Sequence, residues 1–263
     1  MFNIFRADNT NAGDWWSPPI RYFRFKNPKA IDILKCNQLP NIESVFVVGG
    51  GGLGRPFFSN ALNNLKRPDR KYKLISWGAG CDVAEDRAGI VDVSNDPIGS
   101  YFNGFDENGL RVFPESPSHT WVPCSSCMWP GFERYRALIP IEKIGVYEHK
   151  RVPIKFQEFQ NYPKLSNAGD SIEEKLSFMA RFEIIVTNSY HGVYWASLLN
   201  RKVICIPFKS GLFTFKHQPK YLKDDFSSIR VDEIATFPNA LEECREANVD
   251  FFKRVVSTYE IGR

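Results

Sequence analysis

His191 lies in the segment IIVTNSYHGVYWASLLNRKVICIPF, residues 184–208, and its type and setting suit chemistry better than any other residue in the chain. A buried run, Ile184, Ile185 and Val186, leads into Thr187, Asn188, Ser189 and Tyr190; an apolar helical pattern follows the histidine. The imidazole is thus expected at a strand-to-helix turn, where unpaired backbone N–H groups favour an anion. Gly192 beside it lets a ligand or a second backbone come close. An imidazole at such a turn can move a proton near neutral pH. A helix-start histidine satisfied by local hydrogen bonds fits the same residues, and from them alone the two roles are level.

Three earlier loops end strand-like runs: NTNAGD after Phe2–Arg6, GGGGLG after Ser44–Gly49, and WGAGCD after Tyr72–Trp77. Asn11 and Asp14 in the first suit contact with a hydroxyl-rich ligand or ordering of the loop, and Asp14 reads most simply as the N-cap of the next helix. Gly50, Gly51 and Gly52 follow a strand as phosphate-cradling turns do, with Arg55 just beyond them. The run matches neither the dinucleotide fingerprint nor the P-loop, and close approach of two backbones explains it equally well. Gly78 ends the third run. Past the run Lys202–Pro207, the stretch FKSGLFTFKHQPKYL offers Lys209, Lys216 and His217 for an anion. Lys209 follows the strand directly; for each of the three a solvated loop position is the plainer role. Cys124 and Cys127 form a C-x-x-C with His119 upstream, but no second pair completes a zinc site, and the neighbouring prolines do not suit a redox motif. Packing is the expected role there, with Ser125, Ser126 and Trp129 near the expected cleft. His149, flanked by Lys150 and Arg151, reads as surface.

In chain order these segments resemble polysaccharide pyruvyl transferases. NAGDWWSP is similar to the family's Asn-x-Gly-Asp loop, and VVGGGGLG and WGAG to its glycine-rich loop and Trp-Gly-x-Gly strand end. Residues 184–208 resemble its C-terminal signature of strand, Ser/Thr-rich turn, His-Gly pair, helix and closing strand. One departure stands out: many members carry Arg two positions before the histidine, where this chain has Ser189.

The resemblance implies two Rossmann-like α/β lobes facing a cleft, as in GT-B glycosyltransferases. Residues 1–138 would form the acceptor side and 139–263 the donor side, closed by a helix over 238–259. It implies transfer of pyruvate from phosphoenolpyruvate to a sugar of a surface glycan or its precursor, as a ketal, with His191 as general acid and with neither cofactor nor metal. Asn188, Ser189, Gly192, Lys209, Lys216 and Arg55 would hold the donor. Asn11, Gly13, Asp14, Gly50, Gly51, Gly52 and Gly78 would shape the cleft. Two rivals remain: a GT-B-type glycosyltransferase using a nucleotide sugar, and a non-catalytic glycan-binding member of the family.

The elements that must position these loops alternate between strand-like and helical patterns, the mark of a parallel-sheet α/β protein. Besides the runs above, strands are expected at Ile90–Val93, Lys143–Glu148 and Glu183–Thr187. Helices are expected at Trp16–Phe25, Phe58–Lys66, Ser171–Phe182 and Gly192–Leu199. Ser171 and Glu174 have capping-box spacing. Residues 94–141 are irregular and rich in Pro, Gly, Ser and aromatics. Open parallel sheets bind ligands beyond the carboxyl ends of their strands, which is why the loops above merit attention.

Bulk composition narrows the field. A net charge of +4, from 34 basic and 30 acidic residues, is too mild for a nucleic-acid partner, and no basic arm is present. No apolar stretch is long enough to span a membrane, so association with lipid-linked glycan synthesis would be peripheral. Six dispersed cysteines without an export signal read as reduced thiols of a cytoplasmic protein. The aromatic share of 14% is high, as core packing or a sugar-stacking cleft would require.

Overall fold

Several segments of the chain are short runs of almost wholly buried apolar residues, such as VFVVG and FEIIVT, the pattern of strands covered on both faces. A computed structural model describes residues 1–82, 101–222, 226 and 229–262. It shows a mixed α/β architecture with two parallel sheets. The first takes β1 (Phe2–Phe5), β2 (Lys29–Asp32), β3 (Val45–Gly49), β4 (Lys73–Ala79), β5 (Glu107–Leu110) and β6 (Thr120–Trp121) in the order 2-1-3-4-5-6. The second takes β7 (Glu142–Glu148), β8 (Lys164–Ser166), β9 (Phe182–Thr187), β10 (Lys202–Cys205) and β11 (Lys220–Tyr221) in the order 11-10-9-7-8. Every pairing within each sheet is parallel.

The two-residue side-chain period divides each sheet's core between its faces. On one face of the first sheet Ile4, Phe46, Val48 and Leu74 pack with Leu62 and Leu65 of α2 (Ser59–Leu65); on the other lie Val45, Val47, Ile75 and Trp77. In the second sheet Ile185, Val203 and Cys205 pack in one core with α3 (Phe132–Arg136), α4 (Ile172–Ala180) and α5 (Tyr190–Leu198), and Ile144, Val146, Ile184 and Val186 face the opposite layer. All nine residues of α5 are buried, so this helix is a core element. The closing helix α6 (Ala240–Tyr259) serves both sheets. Its Leu241 and Cys244 join the core around α5, whereas Phe251 and Val255 pack against Trp77 of the first sheet.

The expected strands at 2–6, 44–49, 72–77, 143–148, 183–187 and 202–207 are present within two residues at each end. The expected strand Ile90–Val93 lies outside the described residues. The helix expected over Trp16–Phe25 is replaced by α1 (Ala12–Trp15) and one 3-10 turn, Pro19–Arg21. Pro18 and Pro19 disfavour the helical conformation before them, which ends α1 early. Asp14 is not the N-cap: the Asn11 side chain caps α1, accepting from Gly13 N–H at 3.2 Å, and Asp14 sits in the first turn. Ser171 caps α4 as its spacing suggested, accepting from Glu174 N–H at 3.1 Å. Phe182, expected at that helix's end, opens β9. The helix expected from Gly192 begins at Tyr190, so His191 belongs to its first turn.

Candidate functional site

Strand order in both sheets reverses next to one shared cleft. In the first sheet the reversal falls between β1 and β3, in the second between β7 and β9, and each leaves a crevice beyond the strand ends. Asn11 and Asp14 follow β1, Gly52 and Arg55 follow β3, His149 follows β7, and Ser189 and His191 follow β9; all line one cleft that opens to solvent. Arg111, directly after β5, and Lys209, after β10, complete its cationic wall.

Arg111 is 6% exposed and has no ion-pair partner among the described residues. Its guanidinium lies over the Tyr190 ring, 3.4 Å from the centroid, and its Nη1 is buried with no hydrogen-bond partner. Gly80 makes the space, since a methyl there would sit 2.1 Å from Arg111 Nε. Burying an unpaired cation is costly, and a bound anion would remove the cost. Arg55 has a second buried, unpartnered nitrogen, Nε. Lys209 pairs with Asp82 at 3.0 Å. Burial works against the Asp82 carboxylate, yet Lys209 and Arg111 hold it below the usual carboxylate range.

His191 is 5% exposed. Burial first, then Arg111 and Lys209, push its proton affinity well below the ordinary imidazole value, so at rest it is neutral. Its Nε2 lies 3.2 Å from Ser17 Oγ and 3.4 Å from Cys124 Sγ. Gly13 borders the opposite side of the ring, and a methyl there would sit 2.1 Å from Nδ1. The C-x-x-C expected to serve packing therefore splits: Cys124 touches the histidine, whereas burial raises the Cys127 thiol to about 12 and leaves it inert. Among the described residues no three of His, Cys, Asp and Glu are placed to share a metal ion.

His149, read as surface from its basic neighbours, lines the cleft. Burial, then Lys209 and the nearby arginine and lysine side chains, lower its pKa to about 4. Its Nδ1 accepts from Arg151 N–H at 3.3 Å, which leaves Nε2 to carry the proton of the neutral ring. Asp14 is bonded by Asn11 Nδ2 at 2.9 Å. Burial raises its carboxyl above the ordinary value, opposed by Arg55, Arg111 and Lys209.

The other expected residues divide. Ser189 lines the cleft as the N-cap position of α5. Asn188 instead ties loops together, accepting from His149 N–H at 2.8 Å and donating to the Val152 carbonyl at 2.7 Å. Gly50 and Gly51, at φ 86° and 81°, turn the chain after β3, and Gly52 follows beside Arg111. Gly78 and Gly192 are packing positions, against Pro123 and Thr187 respectively. Lys216 lies in a neighbouring recess, 2.8 Å from Glu243 and stacked over Trp121. Arg111, Ser17 and His149 were not anticipated. The short β5, ENGL, gives little strand signal, so nothing in the sequence marks Arg111 as a strand-end cation.

No protein-family model and no curated protein matches this chain. Among solved structures, an uncharacterized protein from Klebsiella pneumoniae subsp. pneumoniae aligns over 78% of this chain and 82% of its own, at 15% identity and a TM-score of 0.44. The wall teichoic acid polymerase TagF aligns over 96% and 83%, at 9% identity and a TM-score of 0.36.

Proposed function

We propose that this chain is a pyruvyl transferase that moves pyruvate from phosphoenolpyruvate to two hydroxyls of a surface-glycan sugar. The observation that carries the reading is Arg111: a buried guanidinium with an unpartnered nitrogen, beside Arg55 and Lys209, in a cleft whose lining holds, among the described residues, one carboxylate, Asp14. Phosphoenolpyruvate bears a phosphate and a carboxylate, and a wall of fixed cations in a poorly solvated cleft suits both.

In the reaction, carbon 3 of the enol takes a proton, a sugar hydroxyl bonds to carbon 2 and loses its proton, and the carbon–oxygen bond to phosphate breaks. A second hydroxyl of the same sugar then adds to carbon 2 and closes the ketal; of the two hydroxyl protons, one restores the general acid and the other leaves on inorganic phosphate. His191 is the proposed general acid. It is neutral in the ligand-free cleft, where burial, Arg111 and Lys209 all oppose its charge. A multiply charged donor beside those cations offsets their repulsion, so the histidine gains its proton as the donor binds. Asn11 and Asp14 are the proposed acceptor contacts.

A nucleotide-sugar glycosyltransferase is the rival, and a GT-B-like arrangement would suit either enzyme. The lining of the cleft supports it less: among the described residues its one carboxylate follows β1, and none follows a strand of the second sheet to hold a ribose. The melting temperature separates the readings. We expect phosphoenolpyruvate to raise it and nucleotide sugars to leave it unchanged, with phosphate released once a suitable glycan is added. A shift with a nucleotide sugar alone would replace this reading with the glycosyltransferase. A response to glycan alone, without phosphate release, would make the chain a non-catalytic binder.

A further inference from the structure

The surroundings of His191 fix where its proton sits. Ser17, Cys124 and Ser126 are fully buried or nearly so, and each has one proton to donate. Trp195 Nε1 donates to Ser126 Oγ at 2.9 Å, which leaves the Ser126 hydroxyl proton for Cys124 Sγ at 3.2 Å. The Cys124 thiol donates to Ser17 Oγ at 3.3 Å, and the Ser17 hydroxyl donates to the Gly13 carbonyl. A carbonyl has no proton to offer, so the Ser17 proton is committed there. Towards His191 Nε2, at 3.2 Å, Ser17 Oγ can only accept, and Cys124 Sγ, at 3.4 Å, faces the same nitrogen with its own proton already given to Ser17. Turning the thiol proton towards Nε2 instead would set the lone pairs of Ser17 Oγ and Nε2 against each other.

Ser17 and Cys124 come from the side of the first sheet, following β1 and β6, whereas His191 follows β9 of the second. We infer that Ser17 and Cys124 are positioning residues that hold the single proton of resting His191 on Nε2, so that Nδ1, on the edge bordered by the side-chain-free Gly13, is the atom that takes up and delivers the transferred proton. The inference rests on the proposed role of His191 as the proton donor, and it names the atom. The imidazolium forms by protonation at Nδ1, gives that proton to carbon 3, and returns to the Nε2–H form. The charge balances because the proton gained at Nδ1 is the one given up. The hydrogen bonds at Nε2 stay in place throughout, which holds the ring orientation fixed between the two states.

The test reads the tautomer in the ligand-free protein and so does not depend on the reaction. The chain has four histidines, and the signals of His191 are those lost in His191→Gln. In protein labelled with nitrogen-15 at histidine, long-range proton–nitrogen correlations near neutral pH should show His191 with a protonated Nε2 and a bare Nδ1. The Ser17→Ala, Cys124→Ala double variant should lose this pattern in favour of the other tautomer or a mixture. Ser17→Thr and Cys124→Ser, which keep the acceptors, should retain it. A protonated Nδ1 in the native protein overturns the inference, as does an unchanged tautomer in the double variant. With phosphoenolpyruvate and acceptor, Ser17→Ala should lower turnover about tenfold at unchanged KM, the pattern of an interaction that matters in the transition state. Absence of any transfer by the native protein would refute the proposed reaction while leaving the tautomer result standing.

Discussion

Arg111 is the most deeply buried cation of the cleft lining. A cation that is 6% exposed, unpaired among the described residues and stacked 3.4 Å from the Tyr190 centroid has lost much of its hydration with little in return. Arg111→Met keeps most of the side-chain volume and removes the charge. The fold should persist or gain stability, as buried charges replaced by apolar groups often allow, while stabilisation by phosphoenolpyruvate disappears. Arg111→Lys should not restore it, because a lysine cannot present a flat, two-pronged donor stacked on the ring. Full ligand-induced stabilisation in either variant would remove Arg111 from the donor site. His191→Ala should leave donor binding largely intact and lower turnover by about 100-fold or more, as loss of a general acid does. Equal turnover with and without the histidine would exclude it from the chemistry.

The strand-end rule brings His191, Ser189, Asn11, Asp14, Arg55 and Lys209 to one cleft, because each follows a run that reads clearly as a strand. It could not find Arg111, whose strand is four residues with no β-branched side chain, nor His149, whose basic neighbours imitate a solvated surface. Lys216, expected to face the same ligand, lies in the neighbouring recess. Its charge is already answered by Glu243 at 2.8 Å, across a contact between distant segments that spacing cannot reveal.

Among the elements, α6 shows what sequence pattern leaves undecided. Its amphipathic run was legible, and its two attachments were not, because one helix face can serve two cores in succession. Asn248 lies between those attachments and is fully buried. Its Oδ1 accepts from Trp77 Nε1 at 2.9 Å and from Ser125 Oγ at 3.2 Å, while its Nδ2 donates to the Pro123 carbonyl at 3.1 Å. The Trp-Gly run at the end of β4 thus serves to anchor α6 and the loop carrying Cys124. Asn248→Leu would leave the indole N–H and the Pro123 carbonyl buried without partners, at a cost of about 2–4 kcal/mol. Chemical denaturation measures this directly, and a loss below about 1 kcal/mol would show that water or rearranged neighbours replace the amide.

For the molecule as a whole, the apolar core that Ala12, Trp121 and Cys124 share with α5 is bordered by charged and polar groups that also join the two sheets. The Lys150 ammonium reaches Thr10 Oγ1 at 2.7 Å and Asp8 at 3.4 Å, Asn167 Nδ2 donates to Asn11 Oδ1 at 3.2 Å, and the Trp16 indole donates to the Asp170 carbonyl. His149 and His191 sit along the same seam, and both are held neutral. This arrangement makes the fold sensitive to acid in a defined direction. An unfolded histidine titrates near pH 6.5, whereas His149 in the fold titrates at about 4. Between those values the unfolded chain binds more protons, so stability is complete above the upper value and is lost as pH falls through the window. His191 adds to the loss in the same direction. Asp14, whose carboxyl is raised by burial, acts oppositely and offsets part of that loss. The melting temperature should therefore fall by several degrees between about pH 7 and pH 5, before most carboxylates are protonated. His149→Gln, which cannot gain a proton in the unfolded chain, should flatten part of that slope while leaving the value near pH 7 little changed. A slope identical to the native one would mean that His149 takes up its proton as readily in the folded protein as in the unfolded chain, and that the cationic wall of the cleft tolerates one more positive charge than its geometry suggests.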